Sequence, residues 1–133
     1  MHGAWLLKES MQIADANIIL RYLLKDEKNQ FAQSRLILEK NDIFIPFEIT
    51  AEIVYVLEKV YNISREEISN TLSKLFNYNN LSFINKKLVL KALEFYSNYN
   101  LDYADSLLCA YKAIEHQEIF TFDKKLLSIL KSI

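Results

Sequence analysis

MQIADANIILRYLLKD, residues 11–26, reads as two elements joined at an acid. MQIAD is a short apolar run that closes on Asp15, and ANIILRYLLKD carries apolar residues at helical spacing. The stretch therefore predicts a strand, a carboxylate at its carboxyl end, and a helix. The alternation continues downstream. EKNQFAQSRLILEKN (27–41) predicts a helix with Phe31, Leu36 and Leu38 inward, and IFIP (43–46) a strand closed by Pro46. EITAEIVYVLEKVYN (48–62) predicts a helix carrying Ile49, Ile53, Val56, Leu57 and Val60 at helical spacing. Ser64, with Glu67 three residues on, forms a capping box for a helix through about Phe76. A strand follows over 81–84, and Asn85 caps a helix to about Tyr99. Asp102 opens another helix, EIFTF (118–122) is the last strand, and Asp123 starts the closing helix. Strands separated by helices predict an α/β fold, a parallel sheet with helices on both faces. Upstream, residues 1–10 show no clear period and read as an N-terminal extension or expression remnant. The expected organisation is a single domain over 11–133.

Composition narrows the functions open to such a fold. The 133 residues are 51% hydrophobic and 25% charged, with a net charge of -1, which excludes nucleic-acid binding by bulk positive charge. One cysteine, Cys109, makes no internal disulfide and reads as a small core residue; with only His2 and His116 beside it, no zinc site can be written. One glycine excludes both the Walker loop and the Rossmann fingerprint, which need several. No apolar run reaches the roughly 18–20 residues of a membrane span, so a soluble cytoplasmic protein is expected.

The acids carry the remaining signal. Ligands of open parallel sheets bind beyond the carboxyl ends of the strands, where Asp15 and Asp123 fall and where Asp102 and Asp105 begin a helix. Each aspartate alone is explained as a helix cap. Glu52 falls on the apolar stripe of Ile49, Val56 and Val60, and a carboxylate there needs a cation, either a metal or an arginine such as Arg21 or Arg35. Glu58 and Glu48 point elsewhere and read as solvated. Four carboxylates converging on one edge repel unless a divalent cation sits among them, and all-oxygen donors favour Mg²⁺ or Mn²⁺. Metal-assisted phosphodiester hydrolysis is the leading chemistry.

IADANIILRYLL, ITAEIVYVLEK, LDYADSLLCAYKA and IFTFDKKL resemble, in order and spacing, the four acidic signatures of PIN-domain ribonucleases. The short chain resembles the VapC-type toxins of type II toxin–antitoxin pairs, and the likeness covers Met11 to about Leu130. It implies a three-layer fold with a parallel sheet of four or five strands, and a metal-dependent endoribonuclease acting on RNA. It assigns Asp15, Glu52, Asp105 and Asp123 to Mg²⁺ or Mn²⁺, with Asn17 and Thr121 in support; Asp102, one helical turn before the matching aspartate, is left open as a cap, a water-mediated ligand or neither. A cognate antitoxin and a homodimer are the implied partners. Two departures stand out: Ala16 replaces the family's threonine or serine after the first acid, and the chain stops at Ile133 with no fifth strand. Ala16 supports the alternative of a catalytically weak module acting as an RNA- or protein-binding adaptor. Lys86, Lys87, Lys91, Lys124, Lys125, Arg21 and Lys25 read mainly as solvated, while Tyr22, Tyr55 and Tyr103 are candidates to stack on RNA bases. Self-association is expected around Tyr55, Tyr61, Phe76 and Tyr78.

Overall fold

The computed structural model describes residues 12–133, so the expectations for residues 1–11 lie outside the described part. The elements run β1 (Gln12–Ile13), α1 (Ala16–Leu24), α2 (Lys28–Lys40), β2 (Ile43–Phe44), α3 (Phe47–Lys59), α4 (Arg65–Phe76), β3 (Leu81–Ser82), α5 (Lys86–Asn98), α6 (Tyr103–Glu115) and α7 (Lys124–Ser132). The described residues form two compact units, one of residues 12–53 with Tyr78–Ile84, the other of Val54–Asn77 with Asn85–Ile133. Helix α3 runs from the first into the second.

The first unit holds the sheet. Its order is β1-β2-β3 and every pairing is parallel, with Gln12 opposite Ile43 and Ile43 opposite Leu81. Asn80 holds the approach to β3 by donating its side-chain amide to the carbonyls of Leu38 and, at 2.9 Å, Asn41. Ala16, Ile19, Leu38, Ile43, Ile45 and Leu81 are buried. Leu36 is not: it lies roughly 160° around the helix from Leu38 at 100° per residue, and 59% of it is exposed.

The second unit is helical. Ile68, Leu72 and Phe76 on α4, Leu88, Val89, Ala92, Leu93 and Tyr96 on α5, and Cys109 and Ala110 on α6 are buried. The buried Ser69 donates to the Leu93 carbonyl at 3.0 Å and ties α4 to α5. With so little glycine, two helices end on other residues in the left-handed region: Lys25 (φ 56°) closes α1 and His116 (φ 58°) closes α6.

The expected sheet of four or five strands is corrected to three among the described residues. EIFTF, 118–122, forms no ladder. Thr121 Oγ1 accepts the Asp123 amide at 3.1 Å, a local turn that directs the backbone into α7, and Phe120 and Phe122 stay 86% and 102% exposed. A β-prone run becomes a strand only where a neighbour takes up its amides and carbonyls. No described helix is long and apolar enough to cross a membrane.

Candidate active site

In the sheet-bearing unit, the chain leaves β1 through the buried Ala14 and turns at the exposed Asp15. Asp15 is the N-cap of α1, its Oδ1 accepting the Ile18 amide at 3.1 Å. Ala16 is fully buried, and Asn17 is exposed in the first turn. Glu52 is exposed on α3, which corrects its placement on a core-facing stripe. The buried stripe of α3 is Thr50, Ile53, Val54 and Leu57, and Glu52 lies roughly 150° from its centre at 100° per residue. Val60, assigned to the stripe, is likewise exposed. Neither arginine considered for Glu52 is paired with it: Arg21 meets Asp26 at 2.7 Å and Arg35 meets Glu39 at 3.2 Å.

The helical unit gathers three acids where α6 and α7 begin. Asp102 caps α6, with Oδ1 accepting the Asp105 amide at 2.9 Å, and Asp123 caps α7, with Oδ1 accepting the Leu126 amide at 2.8 Å. Asp105, one turn into α6, is half-buried. Burial pushes its carboxyl above the usual aspartate range, and the negative charges of Asp102 and Asp123 push it further. Among the described residues no ion pair reaches Asp102, Asp105 or Asp123. Each capping carboxylate spends one oxygen on an amide, leaving Oδ2 as a donor atom. All-carboxylate donors with mutual repulsion fit a hard divalent cation in charge and atom type. As the side chains stand, no three His, Cys, Asp or Glu among the described residues form a group that could hold a metal ion.

Other expected residues are redistributed. Tyr103 is buried, packed edge-on against Tyr96 with ring centroids 6.4 Å apart, so it offers no face to a base. Its hydroxyl has no hydrogen-bond partner among the described residues. Tyr22 stacks on Phe31 at 6.1 Å and its hydroxyl lies 3.5 Å from that of Tyr78; this contact and burial push it up to about 12. Phe76 is buried and offers nothing to a partner chain, whereas Tyr55 is 63% exposed. Lys125, read as solvated, donates to the Asn100 carbonyl, and Lys91 pairs with Glu94 at 3.3 Å. A cleft of about 600 Å³ lined by Lys112, His116, Leu130 and Lys131 lies at the ends of α6 and α7 opposite the acids.

Glu58 is the sequence reading's clearest miss. Rather than being solvated, it accepts the Tyr96 hydroxyl and lies 3.6 Å from Arg65 and 3.3 Å from Lys59. Burial alone raises its carboxyl, but Tyr96, Arg65 and Lys59 outweigh it and hold the group below the usual carboxylate range. Arg65 was not singled out at all. The available signal was its position: a cation as the first residue of a helix is opposed by the helix dipole and needs a partner elsewhere.

A family model described as PIN domain matches residues 13–130. No curated protein and no solved structure matches the chain.

Proposed function

The chain belongs to the PIN domain family, whose members are generally metal-dependent nucleases, and on that premise we propose that it is a divalent-cation-dependent endoribonuclease. The observation that carries this reading is the placing of three carboxylates at two helix starts: Asp102 and Asp123 cap α6 and α7, and Asp105, half-buried one turn into α6, feels the charge of both. Asp15, Glu52, Asp105 and Asp123 are the carboxylates proposed to hold Mg²⁺ or Mn²⁺, with Asn17, Thr121 and Asp102 beside them. When bound, such a cation acidifies water and stabilises negative charge on phosphate oxygens. The chain's own residues restrain these carboxylates one at a time. Amide bonds to Asp15, Asp102 and Asp123 fix one oxygen of each, and Thr121 restrains the backbone at Asp123.

The likeness of the four acidic segments to PIN-domain ribonucleases, together with that of the short chain to VapC-type toxins, goes with a finer reading, that of a toxin component neutralised by a cognate antitoxin and acting as a homodimer. An antitoxin arginine or lysine entering among the carboxylates is the expected mode of inhibition, because it makes charge-assisted hydrogen bonds where the cation would sit. The test is cleavage of end-labelled single-stranded RNA with Mg²⁺ or Mn²⁺ and with EDTA, in wild type and Asp105→Asn. Cleavage restricted to metal-loaded wild type is expected. Undiminished cleavage in EDTA overturns the reading.

A further inference from the structure

We propose that Arg65 is a positioning residue for the acidic start of α6. What those acids do rests on the nuclease reading above; where they are held does not. Arg65 lies over the Tyr96 ring, its Cζ 4.4 Å from the centroid, and its Nη2 stands 3.6 Å from Glu58 Oε2. Glu58 Oε1 accepts the Tyr96 hydroxyl, so ring, carboxylate and guanidinium orient one another. The fork is then aimed at the backbone. Nη1 donates to the carbonyl of Tyr96 at 3.2 Å and to that of Leu101. These two carbonyls bracket the end of α5 and the turn after it, where the Tyr99 amide donates to Phe95 O at 2.9 Å and the Leu101 amide to Tyr99 O at 2.8 Å.

Leu101 is buried and immediately precedes Asp102. Because the Asp102 carboxylate caps α6 through the Asp105 amide, a displacement at Leu101 moves both acids together. The adjacent carbonyl, Asn100 O, is taken by Lys125, two residues past Asp123. The turn thus carries two cationic grips, one from α4 and one from α7, beside the three acids. Lysine at position 65 keeps the charge but lacks the planar fork, so it cannot stack on Tyr96 and serve both carbonyls.

The test compares wild type, Arg65→Lys and Ile68→Val, a control that loosens the same helix at a buried apolar residue and leaves the guanidinium in place. Two readouts are taken on the full chain: amide hydrogen exchange without metal, and Mn²⁺ affinity by electron paramagnetic resonance. Arg65→Lys is expected to speed exchange at Asp105 and Ser106 about 10-fold or more over the rest of α5 and α6. It is also expected to weaken Mn²⁺ binding about 10-fold or more, the usual cost of losing a group that orients ligands. Ile68→Val leaves Mn²⁺ affinity unchanged. If Arg65→Lys opens Asp105 and Ser106 no more than the neighbouring helices, the proposal is overturned whatever the RNA assay shows. If those amides open selectively while wild type neither binds Mn²⁺ nor cuts RNA, the positioning role stands and the nuclease reading falls.

Discussion

The start of α1 and the start of α6 have the same local chemistry and different surroundings. Both open on an aspartate whose Oδ1 takes the amide three residues on, at 3.1 Å for Asp15 and 2.9 Å for Asp102. At α1 the next side chains are Ala16, buried, and Asn17, uncharged. At α6 the capped amide belongs to a second acid, Asp105, and a third cap, Asp123, adds to the negative field around it. A cap is therefore set by three or four consecutive residues, whereas crowding is set by what the chain brings back from farther along. Capping accounts for Asp15, Asp102 and Asp123 as helix starts; it does not account for Asp105, which caps nothing and is half-buried among like charges.

The largest expected effect tests whether that crowding is functional. Asp105→Asn should lower metal-dependent RNA cleavage by more than about 100-fold, beyond the cost of losing an outer partner, while leaving the fold intact. Initial rates with matched circular dichroism check it; an active variant would reduce the start of α6 to a second α1.

Next comes the anchor of the crowded region. Tyr96→Phe removes a hydrogen bond to the Glu58 carboxylate and should cost about 1.5 kcal/mol in urea melts at pH 7. Because the folded-state carboxyl of Glu58 is depressed, its contribution is present above the unfolded value and fades as pH falls through the folded one. The deficit of Tyr96→Phe should therefore shrink in acid.

The two caps themselves give a smaller, sharper contrast. Asp15→Ala should cost about 1 kcal/mol, the ordinary loss of a cap. Asp102→Ala loses the same bond but relieves repulsion on Asp105, so in EDTA and low salt it should cost less; equal losses would remove the electrostatic difference between the two sites. Asp105→Asn supplies the pH arm. Its raised folded-state carboxyl disfavours the metal-free fold at neutral pH, so wild-type stability should rise as pH falls through the raised value towards the unfolded one. The variant should be at least as stable as wild type at pH 7, with the gap closing over that window. Smallest of all, Tyr103→Phe removes a buried hydroxyl that has no partner among the described residues, and should stabilise the protein by up to about 1 kcal/mol.

Much of this molecule is written locally. Asp15, Ser64, Asn85, Asp102 and Asp123 all cap the helices their positions predict, because a cap needs only a short polar side chain and the amides that follow it. Three parallel strands and seven helices were likewise legible from apolar periodicity, which depends on neighbours within one or two turns. Only the tertiary structure decided the rest. The buried side of α3 was misjudged because Ile49, Val56 and Val60 are as apolar as Ile53, Val54 and Leu57, and packing chose the second set, turning Glu52 outward. EIFTF has the composition of a strand, but strand formation requires a partner edge that no run of five residues can specify. The assembly of Glu58, Arg65 and Tyr96 joins residues up to 38 positions apart. A carboxylate's partner at that separation is fixed by how helices pack, which the periodicity of either helix alone does not contain.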